Sequence, residues 1–152
     1  MSKIKTNQTY HTAIYIFFFS FFIHFFWEMW QMPLFEFDES TDLNSMNWMC
    51  TQASIGDGLI AVIAYFIVTL VKKGSWISSA TLLDLLLFLI PGLLLTIILE
   101  YINTLVLFRW SYSALMPIVP VLNVGLSPLL QWVFVPIIVW KACKSVKLDT
   151  LE

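Results

Sequence analysis

Charged residues are scarce in this sequence. Asp, Glu, Lys and Arg make up 12% of its 152 residues, and hydrophobic residues make up 59%. An ordinary soluble domain is about a quarter charged and about half apolar. The hydrophobic excess comes in four long runs, residues 12–32, 55–71, 82–107 and 115–143. This pattern excludes an ordinary soluble domain and predicts an all-α membrane protein, a single bundle of four transmembrane helices over residues 1–152.

Cysteine is also rare, since Cys50 and Cys143 are the only two. The predicted topology places them a membrane thickness apart, far beyond the Cα separation of about 7 Å that a disulfide allows. Neither has a CxxC partner, which argues against thiol redox chemistry and thiolate metal sites. One histidine with two or three carboxylates could hold a hard divalent or iron-type metal. The pattern for such a site is weak, because the chain has two histidines and none lies at i+3 or i+4 from His24, so we predict no metal site and leave the cofactor unknown. No feature indicates nucleic-acid binding.

The first hydrophobic run is long enough to cross a bilayer. Residues 12–32 would form a helix of about 31 Å, close to the thickness of the hydrocarbon core. The run is longer than the hydrophobic part of a signal peptide, and no small-residue cleavage site follows it. We therefore expect a retained first helix that ends at Pro33.

The basic residues indicate the orientation. Seven of the eight fall on one side of a four-span topology: Lys3, Lys5, Lys72, Lys73, Lys141, Lys144 and Lys147. Arg109 is the exception, and the loop of residues 33–54 carries four acids and no base. The positive-inside rule predicts a multi-pass protein of the cytoplasmic (inner) membrane with both termini cytoplasmic, an outer loop 33–54, and the lipid bilayer as its surroundings.

Capping patterns predict two helix starts. Ser54 followed by Asp57 predicts that the second helix starts there, with Asp57 in its first turn. Thr81 followed by Asp84 is a capping box at the inner end of the third helix, which gives Asp84 a structural role. Pro91 predicts a kink in that helix.

Prolines interrupt the fourth run, which contains Pro117, Pro120, Pro128 and Pro136. The Ser127-Pro128 pair predicts a helix start that leaves just enough residues to span. Residues 113–126 would then form a half-helix or re-entrant loop on the outer side, or part of a kinked fourth helix. Irregular backbone at membrane depth needs protein or a polar cavity around it. We therefore expect an outward-facing polar pocket.

Several polar residues are predicted to reach the same outer depth. His24, Glu28 and Gln31 share one helical face through their i, i+4, i+7 spacing. Ionisable residues inside a membrane span usually face the bundle interior. The predicted set comprises His24, Glu28, Gln31, Asp57, Glu100, Asn103, Arg109 and Asn123, with Trp27, Trp30, Trp110 and Tyr112 at the mouth.

Most of these residues also have a structural interpretation. Asn103, Asn123 and Gln131 would join helices by hydrogen bonds. Arg109 would anchor at the interface, the aromatic residues would form an interfacial belt, and His24 would be a packing residue. Glu28 and Glu100 resist such explanations, because neither lies at a helix N-terminus or has a cationic partner one turn away. A pair of carboxyl groups in a low-dielectric medium disfavours ionisation of both, which suits a general acid or a proton carrier.

Certain segments occur together across most of the chain: Trp27-Glu28 with Gln31-Met32-Pro33-Leu34, Ala53-Ser54-Ile55-Gly56-Asp57, Glu100, Trp110-Ser111-Tyr112, Met116-Pro117, and Gly125 through Gln131. As a set they resemble a group of small four-helix bacterial membrane proteins that have no established activity. The resemblance implies the four-helix topology and points to the same outer residues, but it implies no reaction.

Three functions remain open from the sequence. The leading hypothesis is a site that binds or transforms a small or lipid-derived substrate. Glu28 and Glu100 would act as acid–base groups, His24 would tune Glu28, and Arg109 would contact an anionic head group. The first alternative is a proton- or cation-linked small transporter or channel that acts as a homo-oligomer. The second alternative is a membrane assembly or scaffold subunit. Whether the protein is an enzyme stays open.

Overall fold

The computed structural model describes residues 2–146, with side chains from residue 8 onward, and 73% of it is helical. Four long helices follow one another: α1 (Ser2–Gln31), α2 (Leu43–Lys72), α3 (Leu82–Tyr101) and α4 (Leu126–Ser145). α1 packs on α2 and α4, and α3 packs on the same two helices, so the four form a closed ring. The predicted all-α bundle is confirmed at this level.

All four helices are long and apolar enough to cross a membrane, over Gln8–Leu34, Leu43–Lys72, Leu82–Val106 and Leu126–Ser145. Large apolar side chains also cover the outside of the bundle, where Phe26, Leu70 and Leu82 are more than 70% exposed. A soluble protein rarely exposes contiguous apolar surface of this extent.

α2 begins about a dozen residues before the predicted position. Its N-cap is Asp42, whose Oδ1 accepts a hydrogen bond from Ser45 N at 2.7 Å. Ser54 lies inside the helix, where its hydroxyl donates to the Cys50 carbonyl at 2.8 Å. The predicted loop 33–54 is therefore too long, and Cys50 is buried in a helix instead of lying in that loop. Asp57 is not a helix-start residue either, because it lies in the middle of α2.

The capping box at the start of α3 is confirmed. Thr81 N donates to Asp84 Oδ2 at 2.8 Å, and the Thr81 hydroxyl oxygen accepts from Asp84 N at 3.4 Å. Lys72 Nζ lies 3.1 Å from the same carboxylate oxygen. Asp84 thus has the structural role expected of it, and it ties the end of α2 to the start of α3.

The far end of α3 is less regular than the predicted run 82–107. After Tyr101 the helix widens into a π-helical turn, Ile102–Val106. Two side chains there bond to carbonyls one turn back: Asn103 Nδ2 to Leu99 O at 2.8 Å, and Thr104 Oγ1 to Glu100 O at 2.7 Å. Such bonds compete with the regular backbone ladder. π-helical turns are frequently found at functional sites.

Short strands replace the half-helix expected over residues 113–126. β1 (Phe35–Glu36) pairs antiparallel with β2 (Ser111–Tyr112), and β3 (Ile118–Val119) pairs with β4 (Val124–Gly125). α4 then begins at Leu126 with Gly125 as its N-cap, two residues earlier than the Ser127 cap predicted. The half-helix prediction is wrong because this segment satisfies its backbone through strand pairing and turns.

The middle of the bundle is apolar. Fully buried residues from all four helices meet there, including Ile16, Ala64, Val68, Phe88 and Val139. This layer separates two polar ends. One holds the Lys72–Asp84 pair, and the other holds the end of α1, the first half of α2, the end of α3 and the start of α4.

Candidate functional site

Polar side chains from all four helices meet at the second of these ends. We call this group the polar cluster, and its members are His24, Glu28, Gln31, Asp57, Glu100, Ser127 and Gln131. Hydrogen bonds and one short contact between His24 and Asp57 link six of them, and Glu100 interacts electrostatically with Glu28. Buried polar groups are costly unless they are paired. Their concentration at one end of an apolar bundle is therefore the feature that packing alone does not explain.

His24 is fully buried and touches two members of the cluster. Its Nδ1 lies 2.8 Å from Gln131 Nε2 and 3.3 Å from Asp57 Oδ2. The imidazole also packs on the Trp132 indole, with ring centroids 4.9 Å apart. Its Nε2 has no hydrogen-bond partner among the described residues.

Gln131 is the centre of the hydrogen-bonding network. Its Nε2 donates to Glu28 Oε1 at 3.0 Å, and its Oε1 accepts from Gln31 Nε2 at 3.3 Å. The sequence assigned Gln131 only a helix-joining role. Joining α1 to α4 is part of what it does, but it also contacts both His24 and Glu28.

The network continues from Gln31 to the start of α4. The Ser127 hydroxyl donates to Gln31 Oε1 at 2.7 Å, and the Trp27 indole donates to Ser127 Oγ at 3.2 Å. Ser127 was not predicted as a site residue. Its i, i+4 spacing from Gln131 could have identified it, because that spacing places both side chains on one face of α4.

Asp57 lies beside Trp132, and that contact depends on Gly92. The Trp132 indole interacts with the Asp57 carboxyl group and is itself buried. A Cβ on Gly92 would overlap the Trp132 ring. The absence of a side chain at Gly92 thus lets the indole lie between α3 and the pair formed by His24 and Asp57.

Glu100 forms the second branch of the site. Tyr112 Oη donates to Glu100 Oε2 at 2.6 Å, and Trp110 lies beside the same carboxyl group with its buried Nε1 outside hydrogen-bond geometry. Burial and the bond to Glu100 raise the pKa of Tyr112 well above its ordinary value, so this hydroxyl stays a donor. Pairing of β1 with β2 holds Tyr112 opposite Phe35.

Three residues predicted for the site lie apart from the polar cluster. Arg109 is exposed, and its Nη1 reaches only Asn103 Oδ1, at 3.5 Å. Asn123 is exposed in the turn between β3 and β4, with a positive φ of 52°. Trp30 is 72% exposed and packs on Trp27 from outside. Asn103 is buried one turn beyond Glu100, and its side-chain NH2 bonds to a carbonyl of its own helix.

The electrostatics of the site are dominated by acids. Glu28 lies close enough to Asp57 and Glu100 for repulsion between their carboxylates. Within residues 8–146, where side chains are described, neither Glu28, Asp57 nor Glu100 has a Lys or Arg nitrogen within 4.0 Å. The same part of the chain contains no group of three or more His, Cys, Asp or Glu side chains arranged to hold a metal ion.

This arrangement suits proton exchange. Carboxyl groups that crowd one another in a water-poor site cannot all be ionised, and a neighbouring imidazole can accept or return a proton. No family model, curated protein or solved structure matches the chain.

Proposed function

We propose that this chain is an integral protein of the cytoplasmic membrane with an outward-facing polar site for a small or lipid-derived substrate, acted on by proton exchange. The observation that carries the proposal is the convergence of three acids from three different helices: Asp57 contacts the buried His24, Glu28 shares Gln131 with it, and Glu100 interacts electrostatically with Glu28. Intramembrane ionisable residues of this kind commonly mark functional sites.

The proposed orientation follows from the charges at the two ends. Lys72, Lys73, Lys141 and Lys144 lie at the end away from the polar cluster. Basic residues favour the cytoplasmic side, which puts both termini inside and the polar cluster in the outer half of the bilayer. In that orientation the exposed Arg109 would sit near the outer surface, where it would contact an anionic head group of the substrate.

Glu28 is proposed as the principal acid–base group. It accepts a hydrogen bond from Gln131 and experiences the charges of both other carboxyl groups. Asp57 and His24 would stabilise one protonation state of the site. Glu100, which accepts from Tyr112, would bind or protonate a second position of the substrate. General acid–base catalysis of this kind typically contributes 10²–10⁴-fold to a rate.

The apolar middle layer weighs against transport by a single copy of the chain. Ile16, Val68 and Val139 are fully buried between the polar cluster and the opposite end. On α1 the fully buried Ile16 separates Ser20 from Thr12, so the described polar side chains of that helix form no continuous line along the route. A site reached from one end therefore fits the geometry better than a path through the bundle, and transport would need an oligomer.

Glu28→Gln tests the proposal, because it keeps the size and hydrogen bonding of the side chain and removes the acid. Wild-type protein and E28Q would be incubated in nanodiscs with a total bacterial lipid extract, and retained and altered molecules would be identified by mass spectrometry. We expect the wild type to retain or convert a defined molecule. In E28Q the amount of that retained or converted molecule should be at least tenfold lower.

Glu39→Gln is the matched control, because Glu39 is exposed in the loop before α2. It should behave as the wild type does. Equal retention and conversion by wild type and E28Q, with equal expression, would contradict the proposal and favour the scaffold alternative.

A further inference from the structure

One amide group in the polar cluster faces two titratable side chains at once. Gln131 Nε2 lies 2.8 Å from His24 Nδ1 and 3.0 Å from Glu28 Oε1. Gln131 is 2% exposed and His24 is 0% exposed. Bulk water therefore does not replace either hydrogen bond if it is lost. Because both contacts are made at the same end of the amide, His24 Nδ1 and Glu28 Oε1 must either both accept from it or both donate to it.

A chain of hydrogen bonds that starts at an indole matches the orientation of this amide in the structure. Trp27 can only donate, and it donates to Ser127, whose hydroxyl donates to Gln31 Oε1. The NH2 group of Gln31 consequently faces Gln131 Oε1. The NH2 group of Gln131 is left to face His24 and Glu28.

In this orientation both titratable neighbours accept. A neutral imidazole has one donor and one acceptor nitrogen, so acceptance at Nδ1 puts the proton of His24 on Nε2. Glu28 accepts as a carboxylate. Both contacts of the amide are then satisfied.

The opposite orientation satisfies both contacts only if both neighbours donate. Gln131 Oε1 would then accept from His24 Nδ1–H and from a protonated Glu28. Gln31 would turn over with it, and its NH2 group would donate to Ser127 Oγ, since a hydroxyl oxygen can accept two bonds. If Glu28 took its proton on Oε1, the oxygen that faces Gln131, while His24 kept its proton on Nε2, the amide would face one donor and one acceptor, and one buried contact would fail.

We propose that Gln131 is a positioning residue that couples the protonation of Glu28 to the tautomer of His24. When Glu28 gains a proton on Oε1, the oxygen that faces Gln131, the amides of Gln131 and Gln31 turn over, and His24 changes from the Nε2–H tautomer to the Nδ1–H tautomer. The step forms one O–H bond at Glu28 and one N–H bond at Nδ1, and it breaks the N–H bond at Nε2. Water supplies the protons that Glu28 and Nδ1 gain and takes the proton that Nε2 loses, so the site gains one proton and the imidazole stays neutral.

The surrounding groups are compatible with this coupling. α2 contributes Asp57, whose Oδ2 lies 3.3 Å from His24 Nδ1. It also contributes Cys50, which interacts electrostatically with Glu28. α3 contributes Glu100, which Tyr112 holds by a hydrogen bond. A proton on Nδ1 also provides a donor for Asp57. The unpartnered Nε2 changes from donor to acceptor, so a molecule bound there would experience the state of Glu28.

The experiment compares two signals from the full chain in lipid nanodiscs during a pH titration without substrate. Nitrogen NMR of labelled histidine side chains reports the tautomer of His24, and infrared absorption reports the protonated carboxyl group of Glu28 as the band missing in E28Q. In the wild type we expect the two changes to have the same midpoint. In Gln131→Met, which cannot donate or accept at this position, the tautomer should stay constant while Glu28 takes up its proton.

Gln52→Met is the matched control, because Gln52 is exposed on α2, and it should reproduce the wild-type coupling. An unchanged His24 tautomer across the Glu28 transition in the wild type would overturn the proposal, as would a retained switch in Q131M. If Q131M does not fold, Gln131→Leu provides the second test. Leucine also cannot donate or accept, so the His24 tautomer should stay constant while Glu28 takes up its proton, and a retained switch would contradict the coupling.

The inference rests on the proposed function only for the acid–base role of Glu28. No substrate enters the titration. Loss of the coupling would therefore leave the E28Q substrate experiment unaffected, and a negative substrate experiment would leave the coupling intact.

Discussion

At the scale of single residues, the amide of Gln131 connects three members of the polar cluster, His24, Glu28 and Gln31. Glu28 and His24 are identifiable from the sequence, because ionisable groups in an apolar run are expensive. Gln131 is harder to recognise, since a glutamine in a transmembrane helix is usually explained by helix joining. Gln131 reaches His24 and Glu28 only because α4 packs against α1 in one particular register along the bundle axis. That register results from the packing of all four helices.

Gly92 is the residue that we expect to tolerate substitution least. In Gly92→Ala the new methyl group would overlap the Trp132 ring and push it from His24 and Asp57. Forcing extra volume into a packed core costs about 1–3 kcal/mol. Thermal unfolding in detergent should show a Tm several degrees below the wild-type value.

Gly56→Ala is the control for that measurement, because nothing lies within 4 Å of a Cβ at Gly56. Alanine also favours a helix over glycine by roughly 1 kcal/mol. G56A should match or exceed the wild-type Tm. Equal Tm values for G92A and G56A would show that Trp132 does not depend on the open space at Gly92.

At the scale of elements, α3 was predictable at its start and α2 was not. Thr81 and Asp84 form a capping box that the sequence displays directly. The start of α2 was misplaced because the segment that precedes Ile55 is polar, and the prediction equated the helix with the apolar run. The π-helical turn and the two strand pairs were beyond prediction, since they depend on contacts such as that between Phe35 and Tyr112, which are far apart in the chain.

The early start of α2 can be tested through Asp42 and Cys50. Hydrogen bonds from the side chain and backbone N–H of Ser45 hold the pKa of Asp42 below its ordinary value. A carboxyl group whose pKa is lower in the folded state stabilises the fold above its unfolded pKa, about 3.9, and this stabilisation is lost as pH falls through the folded pKa. Asp42→Ala should lose it at every pH and expose Cys50 to maleimide.

Wild-type Cys50 should react slowly near neutral pH, because it is buried inside the helix. Glu39→Ala removes an exposed acid from the same loop and should leave the labelling rate unchanged. The assay uses Cys143→Ala protein, so that Cys50 is the only thiol. Rapid labelling of wild-type Cys50 would instead favour the loop that the sequence predicted over residues 33–54.

At the scale of the whole molecule, composition was sufficient to predict four membrane-compatible helices, since helix length and apolar content are properties of continuous segments. The meeting of the polar cluster at one end follows from the alternating direction of consecutive helices. The face of each helix that contacts its neighbours was not predictable, because each helix carries apolar residues on most of its circumference. Packing at small residues such as Ala61, Ala64 and Gly92 determines which faces make contact.

The proposed orientation predicts which end of the bundle is reachable from outside the cell. Single cysteines at Glu39 and Lys73 would be placed in a chain that lacks Cys50 and Cys143, and intact cells would be treated with a membrane-impermeant maleimide. Glu39 lies in the loop at the polar-cluster end, and Lys73 follows α2 at the basic end. Because lysines are retained on the cytoplasmic side, E39C should be labelled in intact cells and K73C only after permeabilisation. The reverse pattern would place the polar cluster on the cytoplasmic side and remove the outward-facing site, while labelling of neither position in intact cells would argue against insertion in the cytoplasmic membrane.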